Sequence, residues 1–113
     1  MIYNPGDIVL IPFPFSDLST LKKRPVLVLN NFDRFGDFLS LPLTSQYHSL
    51  AIELNSRYLK EGGLPKTSWL RYDKIFTLHE DSVIKKVAVL KPKFFAVVKK
   101  AVCQHLDCCT HEY

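Results

Sequence analysis

Three sets of polar residues in this sequence could do chemistry. Arg24 precedes Pro25 and opens an apolar run, Thr44, Ser45 and Gln46 close another, and Arg71 and Asp73 stand two residues apart. Together they offer guanidinium forks, hydroxyls, an amide and a carboxylate, groups that hydrogen-bond and carry charge. On one strand, Arg71 and Asp73 project from the same face. Each set also has an ordinary structural reading: solubility for Arg24, strand-end capping for Thr44, and a surface salt bridge for Arg71 with Asp73.

The common catalytic motifs are missing: there is no GxGxxG, P-loop, HExxH or G-x-S-x-G. His48, His79, His105 and His111 stand in unrelated contexts, which leaves a histidine-pair ribonuclease without obvious candidates. The carboxylates are scattered, whereas metal-dependent phosphodiester chemistry needs them clustered. Cys103, Cys108 and Cys109 crowd one end beside His105 and His111. An odd count in one short tail is not a disulfide framework, and structural zinc sites usually pair their ligands with a distant second pair. The expectation is a reduced, frayed tail, with no metal and no cofactor.

The elements that must position these residues follow from composition and pattern. The chain has 113 residues, 47% of them hydrophobic, and 15 Lys plus Arg against 11 Asp plus Glu, for a net charge of +4. One domain fits that length, and the apolar share excludes wholesale disorder and a disulfide-dense miniprotein. The densest apolar stretch, Ile8 to Phe15, is broken by Pro12 and Pro14 and falls well short of the roughly 18–20 residues of a membrane span. The N-terminal residues do not read as a secretory signal, so a soluble, cytoplasmic protein is expected. Between Ser82 and Leu106 lie six lysines (85, 86, 91, 93, 99 and 100) and no carboxylate, either an anion-facing surface or a solvated face.

Period-two patterning predicts a mainly β chain of about six short strands closed by one helix, a small barrel or sandwich. Asp7–Phe15 is expected at an edge, or bulged near its end, because Pro12 and Pro14 cannot donate to a ladder. Pro25–Leu29 reads as a strand buried on both faces. Phe38–Leu43, Ala51–Leu54, Ser68–Phe76 and Val83–Leu90 supply the others, with loops at Ser16–Lys23 and Lys60–Pro65. After Pro92, residues Phe94, Phe95, Val98, Ala101, Val102, His105 and Leu106 recur at helical spacing. Residues 1–107 are expected to form the single domain, with 108–113 as a tail.

Four segments in order resemble the MazF/PemK (Kid) family, the toxin members of bacterial type II toxin–antitoxin pairs. They are Gly6-Asp7-Ile8-Val9 with Pro12-Phe13, Lys23 to Leu29 (KRPVLVL), Leu41 to Gln46 (LPLTSQ) and Ser68 to Ile75 (SWLRYDKI). The likeness continues through Val87–Leu90 to the helix and stops at Leu106. It implies an SH3-like β-barrel with a C-terminal α-helix, a homodimer, metal-independent sequence-selective cleavage of single-stranded RNA, and a cognate antitoxin. It places the family's essential arginine on Arg24, its threonine on Thr44, and the Arg-x-Asp pair of the PemK/Kid branch on Arg71 and Asp73. That branch's histidine has no counterpart here.

In the reaction so implied, the RNA 2′-OH attacks the adjacent phosphorus and expels the 5′-oxygen, leaving a cyclic phosphate. Arg24 and Thr44 would stabilise the pentacoordinate dianion, Asp73 would take or orient the 2′ proton, and Arg71 would bind phosphate or assist the leaving group. Lys22 and Lys23, from the loop before the buried strand, would attract RNA phosphates, with Ser45, Gln46 and Tyr72 completing the RNA-binding set. Trp69 is expected in the core or at a dimer interface rather than against a base. The rival from another class is a gyrase-poisoning toxin resembling CcdB, which uses the same barrel but depends on its terminal helix. An inactive interaction module is the third reading.

Overall fold

Val26, Leu27 and Val28 are all completely or almost completely buried, and alternate residues serve different clusters. Leu27 joins Ile8, Leu41, Leu43, Leu54 and Leu70, against which the helix presses Val98 and Val102. Val26 and Val28 join Tyr3, Val9, Ile11 and Phe38, covered by Phe32, Phe76, Leu78 and Val83. A strand with apolar cover on both faces must be apolar at every position, which is why this run shows no alternation. The computed structural model describes residues 3–14 and 21–108.

Among the described residues there are eight strands and one α-helix: β1 (Asp7–Pro14), β2 (Leu21–Val28), β3 (Asp37–Thr44), β4 (Ala51–Leu54), β5 (Leu59–Gly62), β6 (Ser68–Arg71), β7 (Phe76–His79), β8 (Lys85–Leu90) and α1 (Pro92–His105). They form one sheet in the order β4-β6-β3-β2-β1-β8-β5, with β7 also paired to β3. Every recorded pairing is antiparallel. The result is a half-barrel with one C-terminal helix, the mainly β architecture that the sequence pattern implies.

Prolines mark where pairing changes. Beyond Leu10, β1 pairs with β2 alone, so Pro12 and Pro14 stand where no second ladder asks for an N–H. The register shift in β1 falls at Ile8/Val9 against β8, near the start of the strand where it is paired on both sides, rather than at the proline-bearing end where a bulge was expected. Strand β3 meets β7 through Asp37–Ser40 and β6 through Leu43–Thr44, so its partner changes across Pro42. Pro92 occupies the start of α1, where its missing N–H costs nothing, and Lys91 before it makes no side-chain cap.

Three expectations are corrected. Leu21, Lys22 and Lys23 belong to β2 rather than to a loop, because β1 extends far enough to pair with them. The rest of the predicted Ser16–Lys23 loop lies outside the described residues. Lys60–Gly62, expected as loop, form part of β5. The two glycines hid this strand, since Gly62 adopts φ +78° and a Cβ there would meet the Val87 carbonyl oxygen at 2.1 Å. The single predicted strand Ser68–Phe76 is instead β6, a turn, and the first residue of β7.

Two substitutions test this packing in urea unfolding. Leu27→Ala is expected to lower stability by about 2–5 kcal/mol, since it opens a cavity in a fully buried site. Gly62→Ala, which adds both a strained φ and a backbone collision, should cost more than ~1 kcal/mol.

Candidate functional site

Register places the polar set. Strands β2 and β3 pair Val28 with Ser40, Leu27 with Leu41 and Val26 with Pro42; the ladder ends there, and the same register carried on by two residues would bring Arg24 level with Thr44. On its other side Thr44 pairs directly with Trp69 of β6, and Arg71 lies two residues beyond. Directly opposed residues share a face, and the diagonal from Thr44 to Arg71 spans roughly 7–8 Å between backbones. Leu43 and Leu70, which intervene in sequence, point into the core instead.

Arg24 and Thr44 both line a cavity of about 480 Å³ together with Lys22, Lys23, Ser45, Gly63, Leu64, Lys66 and Ser68. Four of its described lining residues are cationic and none is a carboxylate. A concentration of one sign in a concave wall attracts an anionic partner and raises its local concentration. Lys66 and Ser68 were not singled out from sequence. Ser68 opens β6, whose next residue, Trp69, pairs with Thr44, and its hydroxyl donates to the Lys66 carbonyl at 3.3 Å.

The Thr44 hydroxyl does what the structural reading expected, accepting from the Gln46 N–H at 3.2 Å. That bond uses an oxygen lone pair and leaves the hydroxyl hydrogen able to donate to an incoming oxyanion. Capping and donation are therefore compatible. Gln46 itself is exposed and does not line the cavity.

Arg71 and Asp73 also satisfy their structural reading, as a two-pronged ion pair. Nε of Arg71 donates to Oδ1 at 3.1 Å and Nη2 donates to Oδ2 at 2.7 Å. Arg71's hydrogen bonds hold the Asp73 carboxyl below the usual carboxylate range despite the opposing effect of partial burial, and Asp73 in turn raises Arg71. His48 adds a smaller electrostatic contribution that also favours the Asp73 carboxylate. The fold thus brings one of four apparently unrelated histidines into range of the pair. Neither Arg71 nor Asp73 lines the cationic cavity. Tyr72, between them, is half-buried, its ring edge-on to His105 of α1 at 5.9 Å between centroids.

The other candidates fall away from this region. All six lysines of the carboxylate-free stretch are exposed and none lines the cavity. Cys103 is half-buried and Cys108 exposed, the Cys108 thiol donating to the Cys103 carbonyl at 3.3 Å, while Cys109 and His111 lie outside the described residues. No group of three or more metal-ligating side chains occurs among the described residues. No helix among them is long and apolar enough to cross a membrane.

The fold is that of the toxin half of known toxin–antitoxin pairs. It superposes on a MazE-MazF structure from Deinococcus radiodurans with a TM-score of 0.77 at 18% identity, covering 95% of this chain and 97% of that one. An endoribonuclease in complex with its cognate antitoxin from a mycobacterial species gives 0.72 at 17% identity, covering 96% and 99%. Mycobacterium tuberculosis toxin MazF-mt6 gives 0.66 at 16%, covering 88% and 96%. Comparison with curated protein sequences gives no match. Residues 4–106 match the PemK-like, MazF-like toxins of type II toxin–antitoxin systems, and the chain belongs to that family. The match does not favour the gyrase-directed rival.

The ion pair carries a pH signature. Asp73 has a lower pKa folded than unfolded, so its contribution to stability is present above the unfolded value of about 3.9 and is lost as pH falls through the folded value. Wild type should therefore exceed Asp73→Asn in urea midpoint near neutral pH, and the gap should shrink on acidification to about pH 3.

Proposed function

We propose that this chain is a metal-independent endoribonuclease, the toxin of a type II pair, cleaving single-stranded RNA by 2′-OH attack. The observation that carries this reading is the cavity in which Arg24 and Thr44 meet Lys22, Lys23 and Lys66 with no described carboxylate in the lining. Phosphodiester cleavage through a phosphorane needs preorganised donors where negative charge accumulates. A guanidinium fork beside a hydroxyl whose oxygen is already engaged meets that need without reorganisation.

In this mechanism Arg24 and Thr44 bind the non-bridging oxygens of the scissile phosphate, while Lys22, Lys23, Ser45 and Gln46 hold the flanking chain. Asp73, kept ionised by Arg71, accepts or orients the 2′ proton, and Arg71 exchanges part of its grip on Asp73 for a phosphate oxygen as charge develops. Tyr72 enters through its place between these two. His48, the histidine in range of the pair, is the side chain to test for the second proton. Two copies of the chain would widen the groove, and a cognate antitoxin, the kind of partner present in the mycobacterial complex, would cover it.

The reading is tested on a long RNA in the presence of EDTA. Cleavage should persist and leave cyclic phosphate ends, and Arg24→Ala and Thr44→Ala should each lose about 10²–10³ in rate while remaining folded by circular dichroism. A folded Arg24→Ala protein that cleaves at the parental rate overturns the mechanism.

A further inference from the structure

Tyr47 is 72% exposed, the most exposed large apolar side chain described, yet its ring is not loose. It meets Trp69 in an edge-to-face contact, 5.2 Å between centroids and 85° between planes, a favoured aromatic geometry that fixes its orientation. Trp69 is the direct cross-strand partner of Thr44, one strand spacing, ~4.8 Å, from the phosphate-binding threonine. Its partner on the far side is Glu53 of β4, an exposed carboxylate. One row across the sheet therefore runs from Arg24 and Thr44 through Trp69 with Tyr47 to Glu53: cation and hydroxyl, then aromatic surface, then hydrogen-bond acceptor.

That order follows a nucleotide from its phosphate, across the face of its base, to the base edge. We infer that Tyr47 and Trp69 form a stacking platform for a nucleobase of the single-stranded RNA flanking the scissile phosphate, and that Glu53 favours a base bearing an exocyclic amine over uracil. The inference rests on the endoribonuclease reading. A carboxylate accepts from the cytosine N4 amine, whereas uracil offers a carbonyl at the same place. Stacking on an aromatic ring tolerates any base, so Glu53 supplies the discrimination.

Trp69 is the only tryptophan in the chain, so its fluorescence reports directly on the platform. The full chain is titrated with 2′-O-methyl oligocytidylate, oligouridylate and an abasic oligomer of equal length, none of which offers a 2′ nucleophile. Oligocytidylate should quench Trp69 and bind more tightly than oligouridylate, and the abasic oligomer should leave the fluorescence unchanged. Tyr47→Ala should weaken oligocytidylate binding about tenfold or more, Tyr47→Phe should retain it, and Glu53→Gln should narrow the preference over oligouridylate.

Parental affinity in Tyr47→Ala, or equal quenching by the abasic oligomer, overturns the platform. So does a Tyr47→Ala change confined to oligomeric state in sedimentation, which would make the pair a contact between two copies. If wild type cleaves RNA but these binding results fail, the platform alone is wrong. If wild type neither binds nor cleaves any RNA, the endoribonuclease reading fails and takes the platform with it.

Discussion

The register of β3 against β2 and β6 decides where each polar group of the site ends up. Leu41 and Leu43 are buried while Thr44 reaches the surface, and this alternation has a period of two. A slip of one residue would drive Thr44 into the leucine cluster and turn Leu43 out to water. The core thus enforces the site. Leu27, Leu41, Leu43 and Leu70 cannot all be buried unless Val26 faces Pro42 and Thr44 faces Trp69. No separate device is needed to hold Arg24 near the threonine, because the hydrophobic pairing that makes the half-barrel also sets that separation.

Much of this was legible in the sequence. The buried run Val26–Val28, the β1 prolines placed where that strand has a single partner, and the helix opening at Pro92 follow from local rules of periodicity and donor count, whereas Arg71 and Asp73, read as two residues of one strand, meet across the turn that ends β6. The misreadings have physical causes. Lys60–Gly62 looked like loop because glycine usually signals a turn, but here Gly62 admits the close approach of β8 within a strand pair. Lys22 and Lys23 looked like loop because they are polar, although β1 reaches them with backbone bonds that carry no side-chain signature. Lys66 reaches the cavity, and Tyr47 meets Trp69, only through tertiary pairing, which no window of neighbouring residues records.

Charge is divided between two kinds of group. The cavity concentrates cations without described carboxylates, while the lysines of β8 and α1 point into solvent away from it. One of these, Lys86, pairs with Glu61 at 3.7 Å, an exposed contact of small energetic weight. The net charge of +4 therefore understates how uneven the surface is. Local potential at the cavity, rather than the overall balance, is what an approaching polyanion meets first.

The doubly hydrogen-bonded Arg71–Asp73 pair has a consequence at a distance. With its charges 2.7 Å apart, it is nearly silent beyond the Debye length of about 10 Å at moderate ionic strength, and it neither draws an anion in nor pushes one away. In the proposed mechanism, capture would belong to the lysines and would weaken with salt. The pair would act only after arrival, when a substrate atom competes with Asp73 for the guanidinium. Attraction and discrimination would then fall to different residues on different length scales. A polyanion that met the first demand without the geometry for the second would be held briefly and released with the ion pair still closed.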